Sequence, residues 1–337
     1  MRYLFWTLIG ILLLAQLIAY ALWRIAFRSP NRRQNDDYHL ADTEQFRPLQ
    51  KTITGMIDRL NAIPFERVWI RSFDGLELSG RYYHHADGAP LAICCHGYRG
   101  TPSRDFSGGA ILYRELGFNL LLIEQRAHLK SKGNAITLGI KERRDCLAWI
   151  DYGIRRFGED TQIVLSGISM GAATVLLVSG MQPPKNVKGI IADAPYTSPK
   201  AILQSVLKGL KLPVRLVYPF LRLGTWLYSG VDLSDPSADV LCAVKRSPVP
   251  ILLIHGEADR FVPCEMSRAI AAAAPDRVTL ETFPNAGHGL SFLSDQPRYE
   301  AITKAFLTRV LKAPDEQEPA AILQTEESGR REASANL

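Results

Sequence analysis

A serine flanked by two glycines is the residue of this chain best placed to act as a nucleophile. The motif Gly-x-Ser-x-Gly at residues 167–171 follows the apolar run 163–165 and precedes a helix-like segment of small residues at 172–178. This order predicts a strand, a sharp turn and a helix, with Ser169 at the apex and room made by Gly167 and Gly171. The hydroxyl would lie at the positive end of that helix, which stabilises negative charge on a substrate oxygen.

A base and a carboxylate can be assigned to Ser169, because a serine hydroxyl is a weak nucleophile near neutral pH without them. His288 lies on a glycine-flanked loop after the last predicted strand, and Asp259 lies on the loop after the preceding one. Side chains at the carboxyl ends of parallel strands meet at one edge of the sheet, so we expect these three together. Glu257 and Asp193 are the alternative acids.

Two backbone N–H groups are needed to hold the oxygen that becomes negative during acyl transfer. One is expected from Met170, the residue after the nucleophile. The other is expected from the loop 96–100, which follows an apolar strand at 91–95, and Tyr98 is the predicted donor. We expect His96 to support this loop rather than to perform chemistry.

The elements around these residues predict an α/β fold. The runs 68–71 and 76–83 alternate around Asp74-Gly75, which is typical of a hairpin. Apolar strands separated by helical stretches then continue to residue 312. This pattern predicts a mostly parallel central sheet of about eight strands with helices on both faces, over residues 67–312.

An insertion at about 196–247 interrupts the alternation with proline-punctuated amphipathic segments. Because it lies between two strands, we expect a helical cap over their carboxyl ends. The simplest interpretation is a helical pair that packs on the core. Its apolar residues also leave open a substrate channel or a second contact with a bilayer.

The N-terminal segment 1–27 is predicted to be a transmembrane anchor, because 3–23 is uncharged and about 20 apolar residues match the hydrocarbon thickness. A cleaved signal peptide is the alternative, since 19–21 resembles a cleavage site. The protein is thus expected in the cell membrane as a single-pass protein, with the side of the catalytic domain left open. Residues 28–66 are expected to form a linker and a helix, and 313–337 a disordered tail.

The composition is that of a globular protein of 337 residues with a net charge of +6. No basic-aromatic stripe indicates nucleic-acid binding. The five cysteines have neither disulfide nor metal spacing, and we expect them to be buried. The proposed chemistry needs no metal or organic cofactor. The oligomeric state is left open.

These motifs together resemble the α/β-hydrolase superfamily, with nucleophile, acid and base in the chain order Ser169, Asp259, His288. The similarity is greatest to membrane-anchored bacterial serine hydrolases of the serine-aminopeptidase-like or esterase-like branch. The stretch 124–131 is similar to a loop motif of that branch, Asp-x-Arg-Gly-His-Gly-x-Ser. It departs from the motif at Glu124, Ala127 and Leu129, which puts the shape of that loop in question.

The resemblance implies a serine hydrolase that forms an acyl-enzyme. We expect a carboxylic ester or thioester with a small or lipid-like apolar acyl group as substrate. A peptidase with the same three residues is the first alternative, and a non-catalytic binding module on the same fold is the second.

Overall fold

A central sheet of eight strands organises the protein, which is described by a computed structural model for residues 1–29, 38, 40 and 45–311. The predicted tail at 313–337 and much of the predicted linker lie outside the described residues. The strands are β1 (Glu66–Arg71), β2 (Glu77–Tyr83), β3 (Leu91–Cys95), β4 (Asn119–Ile123), β5 (Ile163–Ile168), β6 (Val187–Asp193), β7 (Ile251–Gly256) and β8 (Val278–Phe283). Their spatial order is β1-β2-β4-β3-β5-β6-β7-β8.

The sheet is antiparallel at one edge and parallel elsewhere. β1 and β2 form the predicted hairpin, with Gly75 at a φ of 81° in the turn, and β2 continues antiparallel to β4. All pairings from β4 to β8 are parallel. The predicted α/β fold is therefore confirmed, including its eight mostly parallel strands.

Helices cover both faces of the sheet. They are α1 (Arg2–Ala26), α2 (Gln50–Asn61), α3 (Pro102–Glu115), α4 (Glu142–Phe157), α5 (Met170–Ser179), α6 (Pro199–Gly209), α7 (Val214–Ser229), α8 (Val240–Lys245), α9 (Cys264–Ala273), α10 (Ser291–Ser294) and α11 (Gln296–Leu311). One apolar cluster joins the sheet to α4, α5, α7, α8 and α9. A second cluster joins its other face to α2, α3 and α11. The cysteines follow the prediction except for Cys242, which is exposed.

The insertion forms helices α6, α7 and α8, and α7 packs against α1. Gly224 of α7 lies so close to α1 that an added Cβ would meet the carbonyl oxygen of Ala19 at 2.5 Å. The indole of Trp23 donates a hydrogen bond of 2.7 Å to the hydroxyl of Ser229. Within the insertion, α7 thus packs on α1, and the cap over the carboxyl ends of the strands stays a prediction.

Helix α1 is long and apolar enough to cross a membrane. Its C-terminal end is nevertheless part of the folded domain. Phe27, directly after the helix, is fully buried, and its carbonyl oxygen accepts a 2.8 Å hydrogen bond from the Ile136 amide. The segment 1–29 is therefore both a candidate membrane span and a packing partner of the domain.

Candidate active site

Ser169 lies on a tight turn between β5 and α5, as the motif predicts. Its φ of 55° and ψ of −114° belong to a left-handed conformation that few residues other than glycine adopt. Side chains at the flanking glycines are excluded, because a Cβ at Gly167 would overlap the carbonyl of Gly171, and one at Gly171 would overlap the carbonyl of Cys95. The fold therefore requires this glycine spacing to present Ser169.

The structure brings the three predicted side chains into one line of hydrogen bonds. Nε2 of His288 lies 2.9 Å from Oγ of Ser169. Nδ1 of the same ring lies 2.6 Å from Oδ2 of Asp259. An ionised carboxylate only accepts hydrogen bonds, so Nδ1 carries a proton and neutral Nε2 is free to accept the hydroxyl proton.

Asp259 is held as a carboxylate by several donors. Its Oδ1 accepts backbone hydrogen bonds of 2.8 Å from both Phe261 and Val262. Burial alone would raise the pKa of Asp259, but hydrogen bonds from His255 and His288 outweigh burial and hold that pKa well below its ordinary value. The acid therefore stays charged at every pH near neutrality.

His255 is a supporting residue that the sequence analysis did not identify. It is the last residue but one of β7 and lies four residues before Asp259. Its Nε2 lies 3.3 Å from Oδ2 of Asp259 and 2.9 Å from the carbonyl oxygen of Val262. Because both neighbours of Nε2 are acceptors, Nε2 carries the proton, and Nδ1 accepts from Ser267 at 2.6 Å. In the sequence, the signal for this role was that His255 lies four residues before Asp259.

The two alternative acids have other partners. Glu257 is exposed and pairs with Arg268 at 3.0 Å and with the hydroxyl of Thr282 at 2.8 Å. Asp193 is buried, and its Oδ1 accepts from the hydroxyl of Ser291 at 3.2 Å. Burial raises the pKa of Asp193 to about 6. The carboxylate that contacts His288 is thus that of Asp259.

In the part of the chain that the structure describes, the Tyr98 amide on the loop after β3 has no hydrogen-bond acceptor. Three neighbouring amides are used: Gly97 donates to Asp105 Oδ2 at 2.7 Å, Gly100 to the Gly97 carbonyl at 3.0 Å, and Arg99 to Nε2 of His128 at 3.1 Å. Met170 is the first residue of α5, where amides have no acceptor within the helix. These two amides are the predicted pair.

Two buried histidines shape that loop without taking part in the line of hydrogen bonds. Nε2 of His96 accepts from the Gln125 amide at 3.1 Å, so Nδ1 carries the proton and donates to the Gly97 carbonyl at 2.8 Å. Burial lowers the pKa of His96, and burial lowers that of His128 to about 3, so both rings are neutral. His96 supports the loop, as expected.

The stretch 124–131 keeps its loop despite its departures from the related motif. Ala127 and Leu129, which replace glycines, have φ values of 64° and 46°, so they adopt the left-handed conformation in which glycine is favoured. Gln125 and His128 of this stretch make hydrogen bonds to His96 and Arg99 of the predicted oxyanion loop. The backbone at these two residues is thus one that the glycines of the related motif would also adopt.

A cavity of about 340 Å³ opens beside Ser169 and His288. Its apolar wall comes from α2, α3 and the segment before α11, including Ile53, Met56 and Phe292. In the part of the chain that the structure describes, none of the lining residues belongs to the insertion 196–247. Helix α2, which falls within the predicted linker and helix at 28–66, supplies part of this wall, and the insertion, for which a substrate channel was the alternative interpretation, does not.

Comparisons with known proteins agree with this architecture. The model of the "Alpha/beta hydrolase family" matches residues 92–301. The Bacillus subtilis protein YqkD is 24% identical over 239 residues, which cover 71% of this chain and 77% of YqkD. The esterase Pf2001 of Pyrococcus furiosus superposes with a TM-score of 0.61 at 24% identity, covering 75% of this chain and 95% of the esterase.

A peptidase has a similar fold. The acylaminoacyl peptidase of Pyrococcus horikoshii superposes with a TM-score of 0.56 at 17% identity, covering 77% of this chain and 43% of the peptidase. At these identities the solved structures establish the shared fold alone.

Proposed function

The chain belongs to the alpha/beta hydrolase family, and from this premise we propose that it is a membrane-anchored serine hydrolase of carboxylic esters or thioesters. The observation that carries the proposal is the line of hydrogen bonds from Ser169 through His288 to Asp259, at 2.9 and 2.6 Å. Such a line converts a serine hydroxyl into a nucleophile.

The reaction proceeds in two halves. Oγ of Ser169 attacks the substrate carbonyl carbon while Nε2 of His288 takes its proton. The amides of Tyr98 and Met170 hold the oxyanion until His288 returns the proton to the leaving group. Water, deprotonated by the same Nε2, then cleaves the acyl-enzyme and restores Ser169. Asp259 fixes the ring and stabilises its positive charge in both halves.

The cavity supports an apolar acyl group as the substrate portion that the protein binds. Its wall contains Ile53, Met56 and Phe106, all buried beside the nucleophile. An aminopeptidase needs acids that clasp a free amino group. The three acids of the insertion are engaged elsewhere: Asp232 pairs with Arg222, Asp235 accepts from Ser237, and Asp239 caps α8. These contacts favour an ester or thioester over a peptide.

The membrane part of the proposal is an uncleaved α1. Ala19 is fully buried, and Trp23 is 5% exposed and hydrogen-bonded to Ser229. Removal of α1 as a signal peptide would strip these contacts from the folded domain. We therefore propose a single-pass anchor in the cell membrane.

The test is labelling of the full-length protein with a fluorophosphonate probe, followed by turnover of nitrophenyl acyl esters and aminoacyl anilides. We expect wild-type labelling, none in Ser169→Ala, and faster turnover of the esters. Equal labelling of both proteins, or of neither, would contradict the enzyme assignment and support a binding module. Faster anilide turnover would support the peptidase.

A further inference from the structure

Helix α7 has an open apolar stripe along its outer face. The stripe consists of Leu216, Phe220, Leu223 and Leu227, which recur at the spacing of one helical face. Leu216 is 67% and Leu227 43% exposed, while the two between them are half-buried. The other face of α7 is packed on the domain, with buried side chains at Tyr218, Leu221, Thr225 and Ser229.

The segment around α7 is basic and contains no acid. Between Asp193 and Asp232 the sequence has no aspartate or glutamate. Its cations are Lys200, Lys208, Lys211, Arg215 and Arg222, of which Arg222 is paired with Asp232 just after the segment. An exposed Trp226 lies beside the stripe. A basic helix with leucine and aromatic residues on one face is typical of helices that lie in the interface of a membrane.

The contact with α1 fixes the height of α7 relative to a bilayer. About 20 helical residues cross the hydrocarbon layer, and counted from Tyr3 they end near Leu22. Ala19, whose carbonyl packs on Gly224, lies within that stretch. Residues 2–15 alone give roughly 21 Å at 1.5 Å per residue, which is too short for a layer about 30 Å thick. A spanning α1 therefore brings α7 to the edge of the hydrocarbon.

We propose that the apolar stripe of α7 lies in the interface of an anionic lipid bilayer, beside α1. The leucines and Trp226 would enter the acyl boundary, and the lysines and Arg215 would face the headgroups, to which an anionic surface attracts them. The inference rests on the proposed anchor role of α1. It places the cavity near the membrane, because Arg99 lines the cavity and donates to the Ile25 carbonyl at the end of α1.

The experiment places one environment-sensitive fluorophore at a time on the full-length chain. Cys242 is the exposed cysteine of the five and is replaced by serine, while the other four are buried. Single cysteines are then introduced by Leu227→Cys in the stripe, Leu13→Cys in α1 and Lys304→Cys in α11. Lys304 is the matched control, because α11 packs on the opposite face of the sheet from α7.

Each labelled protein is reconstituted into vesicles of equal parts phosphatidylcholine and phosphatidylglycerol, with or without lipids that carry a quencher in their acyl chains. We expect the labels at 227 and 13 to lose most of their emission and the label at 304 to keep it. A label at 227 quenched no more than that at 304 would overturn the bilayer contact of α7. If the label at 13 is also unquenched, the proposed membrane anchor α1 is contradicted as well.

The outcome is independent of catalysis, because quenching needs no turnover. Fluorophosphonate labelling of Ser169 in the same vesicles reports on the proposed enzyme separately. Labelling without quenching at 227 would contradict the bilayer contact alone. Quenching without labelling would contradict the enzyme assignment and leave the bilayer contact in place.

Discussion

The phenol of Tyr98 donates a 2.5 Å hydrogen bond to the carbonyl oxygen of Ala26, so the predicted oxyanion loop is attached to the last turn of α1. Arg99 makes a second attachment, from its guanidinium to the Ile25 carbonyl at 2.5 Å. The last carbonyls of a helix have no donors within the helix, and these two side chains supply them. The candidate membrane anchor therefore helps to position the site.

Tyr98→Phe is expected to slow acylation without loss of the fold. The amide proposed to hold the oxyanion is kept, but the hydrogen bond from the Tyr98 phenol to the Ala26 carbonyl is lost. One such bond is worth about 1 kcal/mol, so kcat should fall roughly fivefold. The measurement is the rate of fluorophosphonate labelling and of ester turnover. Tyr20→Phe, which removes a phenol of α1 that contacts Arg24 instead, is the matched control. Equal rates in both variants would contradict this role of Tyr98.

Two truncations should behave differently, because only the second half of α1 is docked. Removal of residues 1–27 deletes Trp23 and Phe27, which are 5% and 0% exposed, and should cost several kcal/mol of stability. Removal of residues 1–15 leaves these contacts and should preserve the melting temperature in detergent. Thermal unfolding of both forms beside the full-length protein checks this. Similar melting temperatures for both truncations would show that α1 contributes no packing.

The sequence allowed the fold to be predicted because its signals are local. Local backbone conformation is specified by the apolar strand runs, by the Asp74-Gly75 turn and by the glycines around Ser169. Because the connections between strands are short, few sheet topologies are then possible. The line of Ser169, His288 and Asp259 was predictable as a grouping, because all three follow strands whose carboxyl ends share one edge.

The parts that could not be predicted depend on packing between distant segments. The wall formed by α2 was missed because an amphipathic helix does not specify which surface it covers. The contact of α7 with α1 was not predicted, because it joins residues about 200 positions apart and leaves no local signal. His255 was missed because its partner is identified only when Asp259 folds back on it.

The choice between the two acids near His288 can be tested by paired substitutions. Asp259→Asn should remove most of the activity, because the amide no longer holds the His288 ring in the tautomer with its proton on Nδ1. The loss should be somewhat smaller than the 10⁴-fold or greater loss expected of Ser169→Ala or His288→Ala. Asp193→Asn should stay near wild type, since its contact is the Ser291 hydroxyl, which the amide oxygen also accepts. The measurement is ester turnover by the purified variants. An inactive Asp193→Asn together with an active Asp259→Asn would assign the acid role to Asp193.

Asp193 should also make stability depend on pH. Its pKa is raised to about 6 from an ordinary value of 3.8, so the folded protein holds a proton that the unfolded chain has released. The bound proton stabilises the folded protein fully below about pH 4, and this stabilisation is lost as the pH rises through 6. The free energy of unfolding falls by about 3 kcal/mol over this range. Asp193→Asn should therefore melt at a higher temperature than wild type at pH 8, with the gap closing toward pH 4. The exposed Glu257→Gln is the control, and a gap that does not change with pH would contradict the burial of a titrating acid.

The position of the cavity predicts which helix sets acyl-chain length. Ile53 of α2 is 4% exposed and lines the cavity, so Ile53→Trp should fill it and exclude long acyl chains while short chains still reach Ser169. Leu223→Trp on the outer stripe of α7 adds the same bulk at a residue that does not line the cavity, and should leave the preference unchanged. The measurement is kcat/KM for nitrophenyl esters from acetate to dodecanoate in detergent. We expect at least a tenfold loss for the longest chain in Ile53→Trp alone, because burying a few methylenes is worth 1–3 kcal/mol. If Leu223→Trp instead lost activity on the longest chain, the acyl group would bind at the insertion, for which the sequence left a substrate channel open.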